Sequence, residues 1–209
     1  MSADATSAEE HRLKRRPGRP SGGRIVADRA QLLAAAIELI SARGPDVTMA
    51  DIAAAATVTK PILYRTIGDR DALTSALSEI LIDRVDAAVL AERRHATDLR
   101  SEFEAAVRGY LTAIDTDRNL FLFVNGGNQD TDMVRRLVDR SSQQPIELFT
   151  AARVAANRDT AAARTWGYAI VGAFQLVALM WLRDDYCDVD TVADDLTHLL
   201  WPGVSTAGD

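Results

Sequence analysis

The chain has 209 residues, a formal net charge of -6, 47% hydrophobic and 6% aromatic residues, and 6 prolines. This composition excludes a disordered chain and suits one large or two small globular domains with an apolar core. One cysteine, Cys187, excludes an internal disulfide framework, and no apolar segment of signal-peptide type follows the charged N-terminus, so we expect a cytoplasmic protein.

Charge is distributed unevenly along the chain. Residues 1–70 carry eleven basic and eight acidic side chains, whereas residues 71–209 carry 13 and 22, so the net charge changes from +3 to -9. Both lysines, Lys14 and Lys60, lie in the first part. An acidic body with a basic N-terminal region is typical of a protein whose N-terminal region binds a polyanion.

Residues 1–23 lack helical periodicity and contain the segment KRRPGRPSGG, which indicates a flexible basic arm. One interpretation is a solvated tail. The other is that Pro-Gly-Arg-Pro lies along a DNA minor groove, with Arg15 and Arg16 beside it and Arg19 inserted where the groove is narrow.

The long periodic stretches lack the alternation of a sheet, so we expect an all-α protein. A first helix begins at Asp28 and ends at Gly44-Pro45. Thr48 and Asp51 resemble a capping box at the start of a second helix of about two turns. Thr59 is placed to cap a third helix, with Pro61 in its first turn, where the missing N–H is tolerated.

Six further segments follow in the body. Asp69 caps a long helix that runs to about Glu92, and the next helix spans about 98–114. A short apolar segment, NLFLFV, precedes Gly126-Gly127, and Pro145 should kink or split a helix over 131–157. The last two helices should span about 160–183 and 190–200, with Pro202-Gly203 ending the latter.

Two short helices joined by a tight turn, the second entered through a threonine cap, predict a helix-turn-helix. The N-terminal part of its second helix, Lys60 to Thr66, should enter the major groove of DNA. Lys60 is a compact cation for a phosphate or a guanine edge, and Tyr64 offers a ring and a hydroxyl. The predicted DNA-binding residues of this region are Thr48, Thr59, Lys60, Pro61, Ile62, Tyr64, Arg65 and Arg70.

The motif T-x-x-D-I-A-x-x-A, followed by V-T-K-P-x-L-Y-R and G-D-R-D-A-L, resembles the TetR family of transcriptional regulators. The resemblance is specific over about residues 25–80. It implies an all-α homodimer with a helix-turn-helix head and a C-terminal effector pocket, whose last two helices form a four-helix bundle with their mates. Thr57 departs from the family's turn glycine, Thr66-Ile67 from its aromatic pair, and Arg70 from its usual lysine.

The resemblance implies a ligand-responsive repressor that binds a palindromic operator and is released by a small apolar or amphipathic effector. We expect an arm over 1–23, a DNA-binding head over 24–70 and an effector-binding and dimerisation body over 71–204. For the pocket we expect Phe103, Tyr110, Phe123, Phe149, Trp166, Phe174 and Gln175, with Arg108 or Asn125 as further polar groups. For the dimer interface we expect Trp166, Ile170, Phe174, Val177, Trp181, Val192, Leu196 and Leu199.

Three alternatives bear on these expectations. The uncharged run 166–182 is slightly short for a membrane span and contains Gln175, which favours a buried helix. The three histidines are scattered and no metal-ligand spacing, phosphate loop or nucleophile elbow occurs, so we expect neither an enzyme nor a cofactor. A DNA-binding activator or architectural protein without an effector is the alternative function.

Overall fold

The computed structural model describes residues 28–126 and 131–206, and within these ranges the chain is all-α, as predicted. Nine helices and no strand occur in this part of the chain. Their bounds are α1 Arg29–Arg43, α2 Met49–Ala55, α3 Lys60–Thr66, α4 Arg70–Arg93, α5 Leu99–Thr116, α6 Arg118–Asn125, α7 Thr131–Ala155, α8 Ala161–Asp184 and α9 Val189–Ser205.

Local capping bonds define the starts of α1 and α2, α3 begins after Thr59 without a side-chain cap bond, and apolar side chains pack on the inner faces of all three helices. Asp28 accepts a hydrogen bond from the N–H of Ala30, and Thr48 and Asp51 form the predicted capping box of α2. The inner faces meet at Ile40, Ile52 and Leu63, each fully buried. The head core is therefore centred on one side chain from each of α1, α2 and α3.

The turn between α2 and α3 contains backbone strain. Thr57 has a φ of 55°, in the left-handed region, where a β-branched residue is unfavourable because its Cβ approaches the following carbonyl. Glycine has no such cost. The backbone at Thr57 therefore has the conformation that the family's glycine suits.

We expect Thr57→Gly to raise the free energy of unfolding by about 1 kcal/mol, since relief of strain exceeds the added entropy of the unfolded chain. Chemical denaturation of the purified protein measures this change. Ala54→Gly is the control: Ala54 is exposed on α2, and the substitution should lower stability by about 1 kcal/mol. A loss of stability in Thr57→Gly as well would contradict the strain at this turn.

The body is built on two close helix pairs. α5 lies against α4 at Gly109, where an added Cβ would stand 3.0 Å from the Cα of Val89. α7 lies against α8 at Gly167, where an added Cβ would overlap Ile146. Both glycines allow backbone approach that any side chain would prevent. α9 packs on the far side of α5 and buries Val192 there.

The predicted apolar segment NLFLFV forms the short helix α6, which lies between the head and the body. It buries Leu120, Phe121, Phe123 and Val124, and it contacts α1, α4, α5 and α8. A helix of eight residues is not stable alone. Its conformation therefore depends on the elements around it.

Two prolines lie inside helices and do not end them. α7 continues through Pro145 as one helix. The prediction that Pro202-Gly203 ends the last helix is wrong, because α9 extends to Ser205. Its final turn is held by Val204, which packs beside Phe149 and Trp166, so tertiary contact overrides the missing N–H of proline.

The predicted buried helix over 160–183 is only partly buried. α8 is long and apolar enough to cross a bilayer by length and composition, which is weak support for a span because core and interface helices pass the same test. Its exposed positions include Thr165, Ala169, Gly172 and Leu176, spaced by three or four residues. These residues form one stripe along a single face of the helix.

Candidate nucleic-acid interface and effector cavity

The outer face of α3 presents the side-chain types that a DNA groove requires. Lys60, Pro61 and Arg65 are exposed, and Tyr64 is 48% exposed although it is aromatic. Ile62 is half-buried at the edge of this face. On the opposite side, Leu63 and Ile67 anchor the helix in the core. The structure therefore brings the polar groups of α3 together on one surface.

Thr48 and Thr59 lie beside this surface at the N-termini of α2 and α3. The Thr48 hydroxyl donates to the Asp51 carboxylate at 2.5 Å, and the Asp51 N–H donates back to it at 3.2 Å. The Thr48 hydroxyl and N–H lower the pKa of Asp51, so that carboxylate stays ionised and retains the cap. Thr59 is at the cap position but makes no side-chain cap bond, so its hydroxyl is not used locally.

Arg70, at the start of α4, contacts both the head and the body. Its Nη1 donates to the Val47 carbonyl at 3.0 Å, and its Cζ lies 4.5 Å from the ring centroid of Phe123 on α6. The guanidinium is thus held between the head and the body. The sequence did not predict these two contacts. The Arg70 side chain is exposed and donates one hydrogen bond to the described residues, so its expected contact with DNA stays a prediction.

The arm residues Arg15, Arg16 and Arg19 lie outside the described residues, so their predicted contact with the minor groove stays a prediction.

The body contains a partly open cavity of about 260 Å³ between α4, α5, α7 and α8, with α6 at one end. Along α4 its lining runs from Ser78 to Arg93, a span of about 22 Å at 1.5 Å per residue. Most of the lining side chains are apolar, and they include Leu81, Val85, Val89, Phe103, Tyr110, Phe121, Phe149, Ile170, Val171 and Phe174.

Few polar groups line the cavity. Gln175 donates to the Asn125 side-chain oxygen at 2.8 Å, which places an amide pair at the α6 end. Arg93 and Glu102 form an ion pair with each other at the other end of the α4 span. Asp86 lies between them, and desolvation raises its pKa despite the nearby charge of Arg140.

Five of the predicted pocket residues line this cavity, namely Phe103, Tyr110, Phe149, Phe174 and Gln175. Phe123 and Trp166 do not, which corrects two predictions. Phe123 faces Arg70 on the other side of α6, and Trp166 packs edge-on against Phe149. Arg108 is also elsewhere, paired with Asp190 and Asp194 on α9.

Sequence reasoning missed Phe121 and Asp86 as lining residues. Phe121 lies in NLFLFV, where five of six residues are apolar, so the pattern gives no sign of which face meets a cavity. Asp86 follows the apolar stripe of α4 and has no distinguishing neighbour in sequence. Tertiary packing, which helical periodicity does not reveal, brings these residues to the cavity.

The predicted dimer residues fall into three groups. Trp181, Val192 and Leu196 are buried within the chain's own core, so they are not available to a partner, which corrects those three predictions. The Trp181 ring N–H donates to the Cys187 carbonyl at 2.8 Å. Ile170 and Phe174 face the cavity instead, while Trp166 and Val177 are half-buried and Leu199 is 73% exposed.

Comparison with known proteins agrees with this arrangement. Residues 32–77, which cover most of the head, match the family described as bacterial regulatory proteins, tetR family. The chain belongs to the TetR family of transcriptional regulators. Its members are DNA-binding proteins without enzymatic activity.

Relatives extend the likeness over the body. The uncharacterized HTH-type transcriptional regulator Rv0472c of Mycobacterium tuberculosis is 29% identical over 194 residues, covering 88% of this chain and 81% of the relative. The HTH-type transcriptional activator FasR of Mycolicibacterium smegmatis is 26% identical, covering 97% and 96%.

A solved TetR-like transcriptional regulator from Rhodococcus sp. RHA1 superposes with a TM-score of 0.60 at 28% identity, covering 86% of this chain and 97% of that one. This TetR-family chain therefore shares both head and body with its relatives.

We expect Lys60→Ala to weaken binding to the DNA that the wild-type protein protects near its own gene. One fewer neutralised phosphate should lower the slope of log affinity against log salt by about one. Fluorescence anisotropy over a salt series measures this, with circular dichroism to check the fold.

Arg94→Ala is the matched control, because Arg94 is exposed at the far end of α4 and its substitution removes the same charge. It should leave the slope unchanged. Equal slopes for wild type and Lys60→Ala would contradict the assignment of the α3 surface to DNA.

Proposed function

We propose that this TetR-family regulator is a dimeric repressor that occupies a palindromic operator and is released by a small-molecule effector. The observation that carries the proposal is the partly open, mostly apolar cavity on α4, the same helix that begins at Arg70 beside the head. A ligand there contacts an element that is continuous with the DNA-binding region. Apolar cavities with few polar groups are typical ligand sites.

In this proposal the head, the arm and the body have separate roles. The head, residues 24–70, contacts DNA through Thr48, Thr59 and the α3 surface, and the arm over 1–23 adds minor-groove contacts. The body, residues 71–204, holds the effector and the dimer interface. Two heads about one helical turn apart contact adjacent major grooves, and their linkage multiplies two modest affinities.

The proposed dimer interface is the exposed stripe of α8 together with the exposed side of α9. The α8 stripe is Thr165, Ala169, Gly172 and Leu176, in which Leu176 is 62% exposed. Its small residues allow two helices to approach closely, and the leucine supplies apolar area. Leu199 continues the apolar surface on α9. Two such helices from each chain form a four-helix bundle.

We expect Leu176→Glu to convert the dimer into a monomer, because a charge at this position must be desolvated against its mate. Sedimentation velocity at micromolar concentration measures the change. Leu90→Glu is the control, since Leu90 is 57% exposed on α4, outside the α8 and α9 surface. A Leu176→Glu protein that stays dimeric would contradict this interface.

The cavity favours an elongated aliphatic effector that carries an uncharged hydrogen-bonding group. Its lining extends along α4 from Ser78 to Arg93, which suits an extended ligand. Among the described residues, the charged lining consists of two carboxylates, those of Asp86 and Glu102, and the guanidinium of Arg93, which is already paired with Glu102. An anionic head group therefore lacks a free cation, whereas the Asn125–Gln175 amide pair can bond an uncharged polar group.

Release in this proposal is a difference in effector affinity between two spacings of the heads. An effector that separates α4 from α7 tilts α4 and moves the heads out of register with adjacent grooves. Arg140 on α7 is the polar contact to overcome, since its Nη2 lies 2.6 Å from Asp83 and its Nη1 3.8 Å from Asp86.

We expect 1-decanol to raise the melting temperature and weaken operator binding together, with decanoate less effective at equal concentration because of its charge. Thermal shift and anisotropy measure the two effects. Ala106→Trp, which fills the cavity from α5, should abolish both while keeping DNA affinity. No effect of decanol on either measurement, or equal effects in Ala106→Trp, would contradict the proposed effector site.

Activation is the second candidate, favoured by the likeness to FasR, which is named an activator. The same protein-DNA geometry serves both functions. In vitro transcription from the protected promoter distinguishes them, since the proposed repressor lowers transcript yield and an activator raises it.

A further inference from the structure

The short helix α6 presents opposite faces to the effector cavity and to the DNA-binding head. Phe121, Val124 and Asn125 line the cavity. Asn119 and Phe123 on the same helix contact elements of the head side instead. A helix with eight residues moves as one body, so a displacement of its cavity face also displaces its head face.

Arg70 connects Phe123 to the start of the helix-turn-helix. Its Cζ lies 4.5 Å from the Phe123 ring centroid, while Nη1 donates to the Val47 carbonyl at 3.0 Å. Val47 is buried and directly precedes Thr48, the N-cap of α2. One guanidinium therefore spans the gap between α6 and the backbone that positions the first helix of the motif.

A second contact joins α6 to α1. The Asn119 side-chain amide donates to the Ser41 carbonyl at 2.9 Å, near the C-terminal end of α1. The head is thus held to α6 at two points, through Ser41 and through Val47. Two separated contacts fix the orientation of the head relative to α6, whereas a single contact would allow the head to rotate about it.

We propose that Arg70 is the positioning residue that couples α6 to the DNA-binding head, and that it is not a DNA ligand. The coupling to an effector rests on the proposed function of the cavity. The clasp itself, defined as Arg70 with Phe123 and Val47, does not depend on that function.

Arginine suits this position better than the family's usual lysine. A planar guanidinium stacks on a ring and still donates in its own plane, so the ring contact and the carbonyl contact are made together. An ammonium is a strongly hydrated point charge that satisfies one of them well. Lysine at position 70 therefore keeps the charge and weakens the clasp.

The first test separates the clasp from a phosphate contact. In the operator-binding salt series, Arg70→Ala should leave the slope of log affinity against log salt unchanged, whereas Lys60→Ala lowers it by about one. A decrease of about one for Arg70→Ala would overturn the proposal. An unchanged slope for both variants, with Arg70→Ala still folded, would count against the α3 interface and leave the clasp supported.

The second test needs neither DNA nor effector. Phe123→Leu, which removes the ring at a buried site remote from the α3 surface, should speed amide hydrogen exchange several-fold at residues 48–52. Arg70→Lys should produce a smaller change at the same amides. Faster exchange confined to α6, or spread evenly over the chain, would overturn the proposal, since a purely structural role produces those patterns.

The third test measures whether the clasp is needed for an effector to weaken operator binding. In wild-type protein 1-decanol should weaken operator binding, and in Arg70→Lys it should bind equally well by thermal shift and weaken operator binding less. Full release in Arg70→Lys would overturn the coupling role. If decanol fails to bind wild-type protein, the proposed effector class is wrong, while the salt slopes and the exchange rates still decide the role of Arg70.

Discussion

The placement of α6 between the head and the cavity is the constraint on which the rest of the structure depends. The eight residues of α6 line the cavity through Phe121 and contact Arg70, at the start of α4, through Phe123. The helix has no independent stability, so its position is determined jointly by α1, α4, α5 and α8. Any ligand that changes those contacts changes the support of the helix-turn-helix, which makes the fold suited to regulation.

The head and the body differ in which side chains are buried and which are exposed. In the head, every helix is anchored by a fully buried aliphatic side chain, and the outer face of α3 is left polar and exposed. In the body, α8 keeps an exposed stripe that ends in Leu176, although the helix is apolar enough to pass as a membrane span. A partner chain that covers this stripe accounts for apolar surface that water would otherwise contact.

The head was predictable from sequence because its signals are local. The Thr48–Asp51 capping box, the Asp69 cap and the bounds of α3 all follow from residues within one or two turns. Thr57 shows the limit, since its positive φ is seen only in the structure. The contacts of Arg70 with Val47 and Phe123 were not predicted, because tertiary packing brings these partners to it.

The body was less predictable because helical periodicity identifies the apolar face of a helix but not the element that packs against it. Trp181, Val192 and Leu196 were expected at a dimer interface and are buried in the chain's own core. Leu176, on the same helix as Trp181, is exposed. Distinguishing these two requires the position of α9 relative to α5 and α8, which depends on contacts far apart in sequence.

The most direct measurement of the central claim is the distance between the two heads. Spin labels at Gln31→Cys, exposed on α1, in a Cys187→Ser background allow pulsed electron resonance on the dimer bound to operator DNA. We expect one narrow distance distribution on DNA and a shifted one when 1-decanol is added, with the shift lost in Phe123→Leu. A distribution that decanol shifts equally in wild type and Phe123→Leu would contradict the role of α6 as the link between cavity and head.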